Sequence, residues 1–340
     1  MTVAAATAPV PVVIRRGGDG FAPTVWLVLA TMAALALALR LPVATTVLGL
    51  VAFGVLHNVL ELRYVAGRFD TVLAGPFLGL LAALITGVFV CRLLPVSAGT
   101  RAAEIGLSYV LLGAACVRAL RRRWIWLAVA LAVLAGAAAT SLAFTAYHFV
   151  VLTHLHNVVP LFFLWDWSRG LGGGRRWAFR AVNVGWVLAI PGLLLAGAFD
   201  GVLRAAPAAL GGFGGVAAFE PARLVGSYAP PALASTEMGV RFLAVFAFMQ
   251  TMHYVVWVGV LPRFAPDAAA RFDARVPVLR GGRAWLLGGG LAAVLGLMFA
   301  LDYANGKTLY AAAATYHAYL EFPVLLALIL ASHRPQGVRA

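Results

Sequence analysis

Residues 124–167 read WIWLAVALAVLAGAAATSLAFTAYHFVVLTHLHNVVPLFFLWDW, 44 residues whose one acidic side chain, Asp166, lies at the far end and which contain no lysine or arginine. As a single helix this run would extend ~66 Å, about twice the ~30 Å hydrocarbon core of a bilayer. It therefore reads as two membrane crossings joined by a tight hairpin near residues 141–147, although no glycine or proline marks the turn. Arg121-Arg122-Arg123 precede the run and Arg169 follows it, so both ends are basic.

Outward from this stretch the pattern repeats. Of 340 residues, 63% are hydrophobic and 11% charged, against about 25% charged in soluble domains, and the mean hydropathy is +0.93. Apolar blocks of about twenty residues alternate with short arginine clusters, the pattern of a polytopic helical membrane protein. Nothing alternates in the ten-residue segments of a transmembrane β-barrel. The expected fold is an all-α transmembrane bundle of ten spans: 23–39, 41–62, 71–91, 102–120, 124–143, 146–167, 181–199, 237–261, 284–303 and 308–331. These form one domain over 23–331, with a disordered cytoplasmic tail at 1–22 and a second tail at 332–340. Asn305-Gly306 reads as the turn between the last two spans. The long connection 200–236, rich in Gly, Ala and Pro with Phe213, Phe219 and Tyr228, is expected on the outer face, either as a lid or entry element or as a tolerated surface loop.

Orientation follows from basic residues. With a cytoplasmic N-terminus, 19 of the 26 arginines and lysines fall in inner segments, and removing one span scrambles the alternation. Both termini are then cytoplasmic, and the chain is expected in the cell inner membrane. The formal charge of +14 is spread between apolar blocks and forms no nucleic-acid stripe. Two cysteines, Cys91 and Cys116, make no CxxC and no disulfide framework.

Ionisable side chains inside a membrane cost roughly 2.5–3.5 kcal/mol or more at the centre of a helix and usually carry a task. Six of the seven histidines fall in four spans, all even-numbered and so running from outside to inside: His57 in the second, His148, His154 and His156 in the sixth, His253 in the eighth, His317 in the tenth. His57 and Glu61 are four apart, as are His317 and Glu321, so each pair shares a helix face. Gln250, His253, Tyr254 and Trp257 lie together on the eighth span. Counted from the expected outer ends, His57 and His253 lie roughly 24 Å deep and His154, His156 and His317 roughly 12–15 Å.

A short echo ranks the sixth-span candidates. Leu56-His57-Asn58-Val59 recurs as Leu155-His156-Asn157-Val158, which makes His156 the counterpart of His57. His154 is ~200° from His156 on a regular helix, so the two do not ligate one ion without distortion, which Pro160 can supply by freeing the carbonyl of His156. The order is His156, His154, His148. The expected site has metal ligands His57, His156, His253 and His317, with His154 in reserve. Glu61, Glu321 and Tyr254 act on the reaction. Imidazole with carboxylate suits iron or zinc. The competing view of each histidine is an interhelical hydrogen bond that fixes packing.

Gly54-Val55-Leu56-His57 resembles the Gly-x-x-His segment of the Brp/Blh-type membrane enzymes that cleave β-carotene to retinal and carry histidines on several transmembrane helices. Asn58 stands where that family has glycine, and no aspartate follows. The resemblance covers short segments and implies non-heme iron and oxidation of a lipid or isoprenoid substrate entering from the bilayer. Zinc would make the same cage a hydrolase. Two other readings stay open: a heme-binding electron-transfer or assembly protein, and a proton- or cation-coupled transporter. Glu237 and Arg241, four apart at the outer end of the eighth span, are expected to pair.

Overall fold

A computed structural model describes residues 21–205 and 221–331. The expected tails, Phe213, Phe219 and His333 lie outside the described residues. Among these residues the structure is helical without strands, and nine helices are long and apolar enough to cross a membrane. They are α1 (Ala22–Arg40), α2 (Pro42–Arg68), α3 (Gly75–Leu93), α4 (Ala98–Leu120), α5 (Trp124–Ala143), α6 (Thr145–Gly170), α7 (Gly173–Leu195), α9 (Glu237–Phe264) and α11 (Gly282–Leu301). Between them lie α8 (Pro221–Tyr228) and α10 (Pro266–Arg275), and after them α12 (Tyr303–Ala313) and α13 (Thr315–Ala331). The tenth expected span corresponds to α12 and α13, joined at Ala314, whose backbone stays right-handed helical (φ −63°, ψ −17°).

The 44-residue run divides at Phe144, within the expected hairpin, where φ −122° and ψ 56° end one helix and begin the next. The Asn305-Gly306 turn is a correction. Both residues lie inside the first turns of α12, and the chain reverses at Asp302, whose carboxylate accepts the Asn305 backbone N–H (3.1 Å) and side-chain amide (2.6 Å). A short polar side chain that caps the helix N-terminus outcompetes an Asn-Gly turn here.

The bundle is layered around α9. Most of α9 is buried inside the protein, whereas no residue of α5 is. α9 packs against α1, α2, α6, α7 and α8, while α2 also holds α10 and α11, and α13 rests on α3 and α4. Large apolar side chains such as Trp124, Leu286 and Leu301 face outward, which lipid tails satisfy and water would not. At one end α10 crosses α2 so closely that a side chain on Gly67 would run into the Ala268 carbonyl. Arg63 grips Asp273 with two hydrogen bonds (3.0 and 2.6 Å) and Arg271 donates to the Gly67 carbonyl (2.9 Å).

Candidate metal centre

Four helices bring one imidazole each to a common point. One ring nitrogen from each of His57 on α2, His156 on α6, His253 on α9 and His317 on α13 lies within 4.8 Å of the other three. His317 Nε2 is 3.2 Å from His57 Nε2 and 3.2 Å from His156 Nε2. The expected difference in depth narrows, for His317 because α12 begins at Tyr303, five residues before position 308. Measured from the first residues of α2, α6, α9 and α12, the four histidines stand roughly 17–24 Å along their helices.

A second layer lies one turn further on. Glu61, His253 and Glu321 form an overlapping group within 4.8 Å. Both glutamates follow their histidines by one turn and meet on the same side of the imidazole layer, so α2 and α13 run in the same direction. Glu321 Oε2 takes the Nδ1–H of His156 at 2.7 Å, and Glu61 Oε2 is 3.7 Å from His253 Nε2. His57 Nδ1 donates to the Phe53 carbonyl (2.9 Å).

These bonds fix the tautomers. With Nδ1–H engaged, His57 and His156 each turn a bare Nε2 lone pair toward His317, which has one proton to give and two acceptors facing it. Both nitrogens of His253, Nδ1 of His317, Oε2 of Glu61 and Oε1 of Glu321 are buried with no hydrogen-bond partner. Buried polar atoms are rarely left unpaired, because each costs about 1–3 kcal/mol. A cation at the centre takes one nitrogen from each imidazole, so it would partner one nitrogen of His253 together with the inward-facing Nε2 atoms of His57, His156 and His317, with the carboxylate oxygens of Glu61 and Glu321 one turn away. Nitrogens bound at 2.0–2.1 Å to one ion stand roughly 2.9–3.4 Å apart, which brackets the 3.2 Å separations. The His/Glu group can hold a metal ion.

The echo between positions 56–59 and 155–158 places both its histidines in this cluster and buries both asparagines, Asn58 and Asn157. His154 is a correction. Its Nε2 donates to the Tyr228 carbonyl at 2.8 Å and its ring stands edge-on to Phe242 and Phe246. Pro160 breaks the helix only locally: the His156 carbonyl that loses its usual partner takes the Val159 N–H at 3.2 Å, so the ~200° separation persists. His148 is also outside the cluster, bonded through Nδ1 to Ser141 Oγ (3.0 Å). Tyr254 is beside it, with its ring centroid 4.6 Å from that of His57 and its hydroxyl accepting from Gln250 Nε2 (2.7 Å). Directly after His253 and Tyr254, α9 widens into a π-helical stretch over Val255–Val260, a distortion that recurs at functional sites.

A cavity of about 220 Å³ opens onto the imidazole layer, bounded by Tyr228, Gln250, Tyr254, Lys307 and Tyr310. Gly54 gives Tyr310 its seat, since a Cβ there would come within 2.8 Å of the ring. α8, part of the expected outer connection, covers this region: Tyr228 stacks on Phe246 with centroids 3.6 Å apart. Tyr310, Lys307, Arg92 and Glu104 were not singled out from the sequence as site residues. The signal for the last two was present, as ionisable residues within the apolar helices α3 and α4. No family model, curated protein or solved structure matches the chain.

Proposed function

We propose that the chain is an integral membrane metalloenzyme that uses non-heme iron and dioxygen to oxidise a lipid or isoprenoid substrate, and that it resides in the cell inner membrane with both termini cytoplasmic. The observation that carries this reading is the convergence of three Nε2 atoms with too few protons, buried in a membrane bundle beside a cavity. His57, His156, His253 and His317 hold the ion, which supplies redox chemistry with dioxygen at its open positions. Glu321 orients His156 through the Nδ1–H bond. Glu61, with a free buried oxygen, accepts or returns a proton during turnover. The Tyr254 hydroxyl, set by Gln250, presents a hydrogen bond at the cavity wall. The Gly54-Val55-Leu56-His57 resemblance to the Brp/Blh-type enzymes points to the same chemistry.

Heme fits the geometry poorly. The imidazole centroids stand 4.5–5.1 Å apart around the ring of four, which leaves no slot for a planar macrocycle between two of them. The test is metal analysis with an optical spectrum on detergent-purified protein, beside a His57→Ala/His317→Ala variant. One iron per chain without a Soret band, absent from the variant, supports the proposal. Zinc would turn the reading to a hydrolase, a Soret band to a heme protein. Two metal-free samples would leave a transporter whose histidines carry protons.

A further inference from the structure

We infer that the substrate is an anionic amphiphile, an apolar chain ending in a carboxylate or phosphate, whose head is held by Lys307 with Arg92. This rests on the proposed function and narrows its substrate class. Lys307 is the only lysine in a chain with 25 arginines. It sits on α12, half-buried, and among the described residues no carboxylate lies within ion-pair distance of it. It lines the cavity on the imidazole layer and also a second cavity of about 310 Å³ toward the α3–α4 connection, which includes Val96, Thr100 and Arg101. The two cavities share Arg92, Lys307 and Ala311 as a common wall.

The charges of that wall do not cancel. Arg92 is matched by Glu104, with Nη2 to Oε1 at 2.6 Å, and is further fixed by donating to the Ala311 carbonyl (2.8 Å). That leaves Lys307 as one unmatched positive charge. Lys307 stands one turn into α12, and a half-buried cation there without a counter-charge is costly. The glutamates of the metal layer face the imidazoles of His156 and His253 and make no ion pair with Lys307. An anionic head group completes the balance. The tail has its own route. A third cavity of about 250 Å³, lined by Leu112, Phe144, Val151, Leu155 and Phe322, meets the first at Leu152 and Tyr319, and its side chains Phe144, Val151 and Leu155 also face the lipid. A molecule with its head at Lys307 and its chain leaving between α4, α6 and α13 passes the imidazole layer.

The test measures binding of tritiated oleate, oleyl alcohol and 1-oleoyl-lysophosphatidate by equilibrium dialysis in a neutral maltoside detergent. Iron content is determined on the same samples. The expected result is at least tenfold tighter binding of an anionic lipid than of the alcohol, a preference reduced to under twofold by Lys307→Gln and restored by Lys307→Arg. Tighter oleate assigns a free carboxylate, tighter lysophosphatidate a phosphate head. Binding of neither anionic lipid more tightly than the alcohol by the native protein overturns the inference, as does an undiminished preference in Lys307→Gln. Iron present with no preference removes the head-group site alone, whereas a preference without iron removes the metal reading alone.

Discussion

Two neighbouring stretches of α2 solve the problem of charge in opposite ways. Near Arg63, where α10 crosses, opposite charges are matched: Arg63 with Asp273, Arg275 with Asp70, and Arg68 with Asp166. One and a half turns earlier in the same helix, His57 and Glu61 belong to the cluster in which five buried nitrogen and oxygen atoms have none. The contrast separates scaffold from site. Polar groups that fasten helices close their hydrogen bonds within the protein, and those at the centre leave theirs open for something else to fill.

The largest effect that would sharpen this contrast is loss of the ion. His253 belongs to both the imidazole and the carboxylate groups, so His253→Ala is expected to remove bound metal, from about one ion per chain to none by elemental analysis. Retention of a full ion would break the contrast outright. Glu321→Gln should act less severely, because the amide still reaches His156 but withdraws the negative charge. A 10–100-fold weaker metal affinity is expected, read by competition with a chelator.

The scaffold stretch should respond in stability and leave the metal alone. Burial pushes the Asp273 carboxyl upward, but hydrogen bonds from Arg63 and from the Gly281 backbone N–H outweigh it, and the group is held below the ordinary aspartate range. Because the folded value is the lower one, the stabilisation is complete above about pH 4 and is lost as pH falls through the depressed folded value. Asp273→Asn is expected to cost about 1–3 kcal/mol near neutral pH and to flatten the loss of Tm on acidification. Iron content should stay at its native value. A normal Tm with an unchanged acid slope would show that the α2–α10 clamp contributes nothing.

The sequence makes the scaffold more legible than the site, for a physical reason. A bilayer demands about twenty apolar residues per crossing and tolerates few charges, so the spans and the break near Phe144 follow from composition. The pairs His57/Glu61 and His317/Glu321 follow from helix periodicity. What composition does not carry is the partner of a given atom. Glu237 and Arg241 do not pair with each other: Arg241 binds Asp200, 41 residues earlier in the chain, and Glu237 binds Arg204 from the same short helix as Asp200. His154 is claimed by a main-chain carbonyl 74 residues away, a group with no side-chain signature. Lys307 gains its meaning only when α12 meets α3.

His154 and His156 offer the finest version of the comparison, two imidazoles two residues apart on one helix with opposite fates. His156 turns inward and keeps its Nε2 free for the cluster, while His154 spends its Nε2 on the carbonyl that ends α8. The variant His154→Ala is therefore expected to change metal affinity by less than twofold. It removes the hydrogen bond that His154 Nε2 gives the Tyr228 carbonyl, a cost of about 1–3 kcal/mol if the site stays closed. That energy is released by letting α8 lift from Phe246, so amide exchange in α8 should accelerate while exchange in α9 does not. His156→Ala should do the reverse, losing metal and leaving α8 protected. If His154→Ala strips the ion and His156→Ala retains it, the faces of α6 are assigned the wrong way round, and the echo between positions 56–59 and 155–158 carries no structural meaning.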